Sequence, residues 1–203
     1  MTTLWIALLD QPLTFPEAEC LAELLPPERR ARLPERPERR EGPLCAYGLL
    51  TLLLRESRGW ERLPDTARTL LGKPWFPAFP QVQFSLSHTD GAVLAAVSNG
   101  PVGADIQRLR PLSERMLGLT EGRTAEEFWR SWCRREALAK RDGTGGPEVL
   151  RRRERPLLPG ERCLELDLPA GFAGAAAFAG EAEPVRRLGQ RELLAALGIP
   201  GPL

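Results

Sequence analysis

Lysine is almost missing from this 203-residue chain. Of 28 basic residues only Lys73 and Lys140 are lysine, and His88 is the single histidine. Arginine serves wherever a cation has only to be solvated, so the two lysines are candidates for places that need a compact, flexible ammonium. The four cysteines, Cys20, Cys45, Cys133 and Cys163, form no C-x-x-C pair, which argues against a zinc knuckle or a disulfide framework and suits reduced thiols in a cytoplasm. A net charge of +1 leaves no global field for nucleic acid or a membrane surface. No apolar run approaches membrane-spanning length. The opening segment lacks a basic region and a cleavage site, so a first strand is expected there rather than a signal peptide.

What is present is the composition of a globular protein, with 42% hydrophobic and 27% charged residues. The length allows one large domain or two small ones. A strand over residues 3–9 and a helix from about Pro16 to Leu25 precede a proline- and arginine-rich connection. Leu44 to Arg58 is apolar around most of its circumference, as in a buried helix. The segment "LLGKPWFPAFPQ" reads as irregular loop. Val82 to Ser87, Ala92 to Ser98 and Val102 to Gln107 read as three strands of one antiparallel meander, with Asn99-Gly100 as the second turn.

The clearest helix is "AEEFWRSWCRREALAKRDG". Thr124 and Glu127 supply a capping box and Gly143 the stop. "CLELDLP" and "GFAGAAAFAG" read as strands, and "RRLGQRELLAAL" as a short terminal helix. Helix followed by strands occurs in both halves, with Asn99-Gly100 near the midpoint.

Alternation along the third strand turns Val102, Ala104 and Ile106 to a core and Gly103, Asp105 and Gln107 to the other face. Two oxygen-bearing side chains on one face suit a hard cation such as Mg2+. On the long helix, Phe128, Trp132, Glu136 and Lys140 form one stripe. The stripe begins in aromatics, so Glu136 is expected to line a cleft, paired with Lys140. His88 lies between Ser87 and Thr89 and has no orienting carboxylate, which favours an anion ligand over a general base. Against each stands a plainer reading: a solvated sheet face, a surface salt bridge, a structural histidine.

Taken in order, "GKPWFP", "FSLSHT", "VGADIQ" and "FWRSWCRREALAKRDGTG" resemble the signature segments of the Sfp-type 4'-phosphopantetheinyl transferases. The resemblance implies an α+β fold of two similar α/β halves, residues 1–100 and 101–203, related by a pseudo-twofold with the active site at the seam. It implies transfer of the 4'-phosphopantetheine arm of coenzyme A to a serine of an acyl or peptidyl carrier protein. Asp105 and Glu136 then match metal ligands, with Gln107 where a third acid is usual. Lys140 matches the lysine near the pyrophosphate, and the chemistry of the transfer gives Glu136 a second role as general base for the serine proton, directly or through a metal-bound water. Lys73, Ser87 and His88 match coenzyme A contacts, and Arg29 and Arg32 match basic positions near the 3'-phosphate.

Two departures are visible. Gln107 removes one negative charge from the metal site, and Pro43 stands where a basic residue is common, with Arg39 or Arg40 as substitutes. A cytoplasmic monomer that uses Mg2+ is expected, with coenzyme A and a carrier protein as partners and neither nucleic acid nor membrane. The basic run Arg151 to Arg155 is either a carrier contact or a solvated loop. The alternatives are a degenerate homologue that binds coenzyme A or a carrier domain without transfer, and, last, a Mg2+-dependent phosphohydrolase.

Overall fold

The structure is a computed structural model that describes residues 1–117, 124–144 and 155–201. In chain order it runs β1 (Thr2–Leu8), α1 (Phe15–Glu23), α2 (Pro27–Arg30), a 3-10 turn (Pro37–Arg39), α3 (Glu41–Arg58), β2 (Ala67–Arg68) and β3 (Pro74–Trp75). There follow β4 (Gln83–Thr89), β5 (Ala92–Ser98), β6 (Gly103–Arg108), α4 (Glu114–Leu117) and α5 (Ala125–Asp142). The chain closes with β7 (Glu161–Glu165), β8 (Phe172–Ala179), β9 (Arg186–Gly189) and α6 (Gln190–Ala196).

These elements stack as helix, sheet, sheet, helix. The first sheet has the order β4-β5-β1-β9 and the second the order β6-β8-β7. Strand alternation divides the core into three parts. Trp5, Ala7, Val93, Ala95 and Val97 face α3, whose Leu49, Leu50 and Leu53 are fully buried against them. Leu4, Ile6, Leu94 and Ala96 face the other way and meet Val102, Ala104, Ile106, Ala176 and Phe178 of the second sheet. On the far side of that sheet, Ala173, Ala175 and Ala177 pack against Cys133, Ala137 and Leu138 of α5. The alanines of "GAAAFA" are thus what lets a helix lie close on β8.

The mixed α+β character and the alternation in β6 agree with the sequence. Its long helices do too: α5 begins on the Thr124–Glu127 capping box and ends at Gly143, whose φ of 75° is left-handed. Three expectations are corrected. The meander stops at β5, because β6 leaves the first sheet and pairs antiparallel with β8. "RRLG" is not helix but β9, a parallel partner of β1, so the chain returns to its first sheet before α6. The loop around Gly72 holds a small ladder, Ala67 opposite Trp75 and Arg68 opposite Pro74. Of the basic run, residues 151–154 lie outside the described residues.

Candidate active site

Asp105 projects from β6 towards α5, and the helix comes close because position 103 carries no side chain. A Cβ on Gly103 would stand 2.0 Å from the Ala137 carbonyl oxygen and 2.3 Å from the Arg141 nitrogen. Asp105 is consequently only 2% exposed, and a carboxylate so buried must be hydrogen-bonded. The Lys140 ammonium reaches Oδ1 at 2.7 Å, the Ser87 hydroxyl donates to the same oxygen at 2.7 Å, and the Gln107 amide donates to Oδ2 at 3.1 Å. Lys140 therefore pairs with Asp105 and not with Glu136; its remaining contacts are the carbonyls of Ala104 and Leu86.

Glu136 lies one turn before Lys140 on α5, half-buried, and lines the cleft described below. Burial raises its pKa, the Asp105 charge raises it further, and Lys140 opposes both. The second carboxylate of the site is thus held in the field of the first. The aromatics behind it are less deeply placed than the stripe suggested. Phe128 and Trp132 stack at 6.3 Å but both are only half-buried, and the buried face of α5 is Cys133, Ala137 and Leu138.

In front of the acids opens a cleft of about 450 Å³. Arg29, Arg68, Lys73, His88 and Lys140 line it together with Glu136, so five basic side chains from α2, β2, the turn before β3, β4 and α5 converge on one space. Lys140 is balanced by Asp105, but Arg29, Arg68 and Lys73 have no carboxylate partner among the described residues. Arg29 lies over the Tyr47 ring, 4.6 Å from its centroid, and its Nε and Nη1 are buried without a hydrogen-bond partner. Burial lowers the Arg29 pKa, Tyr47 offsets this, and Arg68 lowers it again.

Among the described residues Lys73 donates only to carbonyls, at 2.9 Å to Arg141 in the last turn of α5 and at 3.1 Å to Val102. Burial first and the Arg141 charge second bring its pKa down to about 8, against Asp142. Gly72, at φ 88°, makes the turn that presents it. His88 packs its ring on the first turn of α3, where a Cβ on Gly42 would lie 2.7 Å from Nδ1. Burial and Lys140 lower its pKa while Asp105 raises it.

Most of the residues singled out in the sequence therefore meet. Lys73, His88, Glu136, Lys140 and Arg29 share the cleft, and Asp105 joins them through Lys140, with Gln107 on Asp105. Arg32 is exposed and off the cleft wall. Ser87 is buried between β4 and β6. Pro43 does line the cleft, whereas Arg40 donates to the Pro34 and Glu35 carbonyls and Arg39 is exposed.

The chain is similar in sequence to several known proteins. Over 142 residues the chain is 33% identical to the 4'-phosphopantetheinyl transferase AcpT of Escherichia coli O157:H7, a match covering 62% of this chain and 69% of that one. The chain belongs to the 4'-phosphopantetheinyl transferase family. The Sfp enzyme of Bacillus subtilis strain 168, another 4'-phosphopantetheinyl transferase, is 24% identical over 153 residues, covering 68% of each chain. A further Bacillus subtilis family member matches at 29% over 87 residues, so there the chain spans about two fifths of the relative's length. No protein-family model matches the chain.

Two cleft residues of this family member escaped the sequence reading. Arg68 lines the wall and anchors the Gly72 carbonyl at 2.8 Å, and Tyr47 supports Arg29. Arg68 is one arginine among many, with no motif of its own. Tyr47 reads as one more apolar position in α3.

Proposed function

We propose that this chain transfers the 4'-phosphopantetheine arm of coenzyme A to a serine of an acyl or peptidyl carrier protein, with Mg2+ as the divalent ion. The observation that carries the reading is the convergence of five basic side chains on one cleft lined by Glu136, with Asp105 buried behind it on Lys140. A ligand with a diphosphate and a further phosphate supplies the anions such a cleft lacks, and coenzyme A is such a ligand. The Arg29 guanidinium at the cleft wall suits one phosphate, with His88 and Lys73 for others.

The donor set suits a hard ion. Asp105 and Glu136 are close enough for one charge to raise the other's pKa, and Gln107, whose NH2 group is on Asp105, keeps its amide oxygen free. Among the described residues no three His, Cys, Asp or Glu side chains form a metal cluster, so Gln107 would complete the set. When bound, such an ion neutralises charge that develops on the phosphates.

In the transfer, the serine oxygen attacks the phosphorus that carries pantetheine. The bond to the bridging oxygen breaks, and adenosine 3',5'-bisphosphate leaves. Glu136, whose proton affinity its surroundings raise, takes the serine proton. Lys140 balances Asp105 and steadies the diphosphate end. Lys73, Arg29 and His88 fix the nucleotide so that attack is in line.

The same reading includes two related halves, residues 1–100 and 101–203, with the site at their seam. Its support is that α3 covers the first sheet as α5 covers the second, and that β4 meets β6 beside the acids. It also includes a cytoplasmic monomer with no nucleic-acid or membrane partner. Among the described residues no disulfide joins the four cysteines, and no helix is long and apolar enough to cross a membrane.

A second reading, a homologue that binds without transfer, draws on Gln107 in place of an acid and on Pro43 at the cleft wall. Apo carrier proteins incubated with coenzyme A and Mg2+ decide between the two. A Mg2+-dependent mass gain of one phosphopantetheine supports transfer. Coenzyme A binding with no gain on any carrier favours the binding module, and coenzyme A breakdown without an acceptor indicates hydrolysis.

A further inference from the structure

The stretch Ser85-Leu86-Ser87-His88-Thr89 places a hydroxyl at every second residue of β4. Side chains two apart on a strand share a direction, and here that direction is the free edge of β6. One edge of β6 is taken by β8; on the other, every second backbone N–H would be left without a partner. The hydroxyls supply the partners in register. Ala104 N–H donates to Ser85 Oγ at 3.0 Å, Ile106 N–H to Ser87 Oγ at 3.2 Å, and Arg108 N–H to Thr89 Oγ1 at 3.0 Å. Side-chain oxygens thus join the two sheets where a backbone ladder would otherwise run.

Ser87 differs from the other two. Its hydroxyl has one proton, and that proton is directed to Asp105 Oδ1 at 2.7 Å while the oxygen accepts from Ile106. The residue is 5% exposed and, unlike His88 and Ser85, does not line the cleft. A side chain whose only proton is engaged and which is cut off from the cleft has nothing to offer a phosphate.

We propose that Ser87 is a positioning residue of the acid pair: it fixes the Asp105 carboxylate relative to the sheet seam and does not hold the nucleotide phosphate. His88, the next residue and of opposite alternation, faces the cleft and is the one that meets the ligand's anion. The inference rests on the phosphopantetheinyl transfer reading for its ligands. Outer hydrogen bonds to a metal-ligating carboxylate set the ligand's direction, and losing one weakens metal affinity or activity about ten- to hundredfold.

The test separates coenzyme A binding from ion binding. Isothermal titration measures coenzyme A affinity without metal, and electron paramagnetic resonance measures Mn2+ affinity in the presence of saturating coenzyme A. For Ser87→Ala we expect coenzyme A affinity within about twofold of the parent and Mn2+ affinity down by at least about tenfold. Ser87→Thr, which restores a hydroxyl, should recover most of the loss. His88→Ala should do the opposite, weakening coenzyme A and sparing Mn2+. Ser85→Ala removes a seam bond with no link to Asp105, so its Mn2+ affinity should stay near the parent's. Weakened coenzyme A binding in Ser87→Ala with Mn2+ affinity intact would overturn the proposal, as would an equal Mn2+ loss in Ser85→Ala. Failure of the parent to modify any carrier would instead count against transfer, while these two binding measurements would still decide the role of Ser87.

Discussion

Lys73 is a cation placed where its charge is unwelcome until a ligand arrives. Its ammonium is held between two carbonyls with no carboxylate bound to it among the described residues, and its pKa of about 8 lies below the ordinary 10.5. Between those two values the unfolded chain binds the extra proton, so folding stability rises with pH across that window and carries the full penalty below pH 8. Lys73→Met should therefore unfold at the same or a higher temperature at pH 7, an advantage that fades as pH approaches 10.5. Its coenzyme A affinity should nonetheless fall about tenfold, the scale of one charge-assisted hydrogen bond. At a pH just above that of half-titration, binding of the anionic ligand should draw a proton onto Lys73. Calorimetry in buffers of different ionisation enthalpy would detect the uptake in the parent and its reduction in Lys73→Met.

Gln107 poses a related question of charge. Its amide donates to Asp105, so Gln107→Glu exchanges an attraction for a repulsion in the metal-free protein and adds an anion for the ion to bind. The expected outcome is a lower Mg2+ concentration for half-maximal rate together with a lower unfolding temperature in chelator. An unchanged Mg2+ requirement would place residue 107 away from the ion.

At the level of elements, the position of α5 decides whether Glu136 and Lys140 reach the cleft. Its start was legible in the sequence because a capping box is a local device of four residues, and its stop because a left-handed residue favours glycine. What holds its C-terminal end against the sheet was not legible. Glu161, with a side chain 1% exposed, receives both guanidinium nitrogens of Arg155 at 2.6 and 2.7 Å and a third contact from Arg141 at 2.6 Å, while Arg155 also grips Asp142. These partners are brought together by folding and share no spacing in the chain. The Arg155 bonds in particular hold the Glu161 pKa down to about 2.

The stability supplied by this acid is present above its unfolded value of 4.5 and is lost as pH falls towards 2. Glu161→Ala, which leaves Arg155 and Arg141 to share Asp142, should lower stability at neutral pH in chemical denaturation and flatten the acid limb of the stability profile. Gly103→Ala attacks the same helix from the strand side. Its methyl group meets helix backbone that cannot rotate away, so α5 must lift and the 2.7 Å Lys140–Asp105 contact must lengthen. Transfer should fall more than about tenfold, the usual sensitivity to misplacement by about an ångström. Parent-like activity in Gly103→Ala would mean that this close approach does not set the site.

Across the whole molecule, the sequence conveyed periodicity better than partnership. Alternation assigned the two faces of β6 correctly, since a side chain's direction is local. That β6 joins β8, and that "RRLG" is drawn out as β9 beside β1, depend on strands distant in the chain. The cleft was partly legible for the same reason: motif residues identified most of its wall, and Arg68 entered through a two-residue ladder that proline-rich sequence conceals.

That wall is drawn from every layer near the seam: α2, α3, the β2–β3 turn, β4 and α5. A ligand that spans it binds only the folded arrangement and so stabilises the fold by mass action, by about 2.7 kcal/mol at a hundredfold excess over Kd. Coenzyme A should therefore raise the midpoint of thermal unfolding in chelator, before any ion is added, because Arg29, Lys73 and His88 supply the attraction without one. Arg29→Ala should reduce that shift, whereas Arg32→Ala, on an exposed position off the wall, should leave it near the parent's. A shift that appears only with Mg2+ would show that the acids, and not the basic wall, capture the nucleotide.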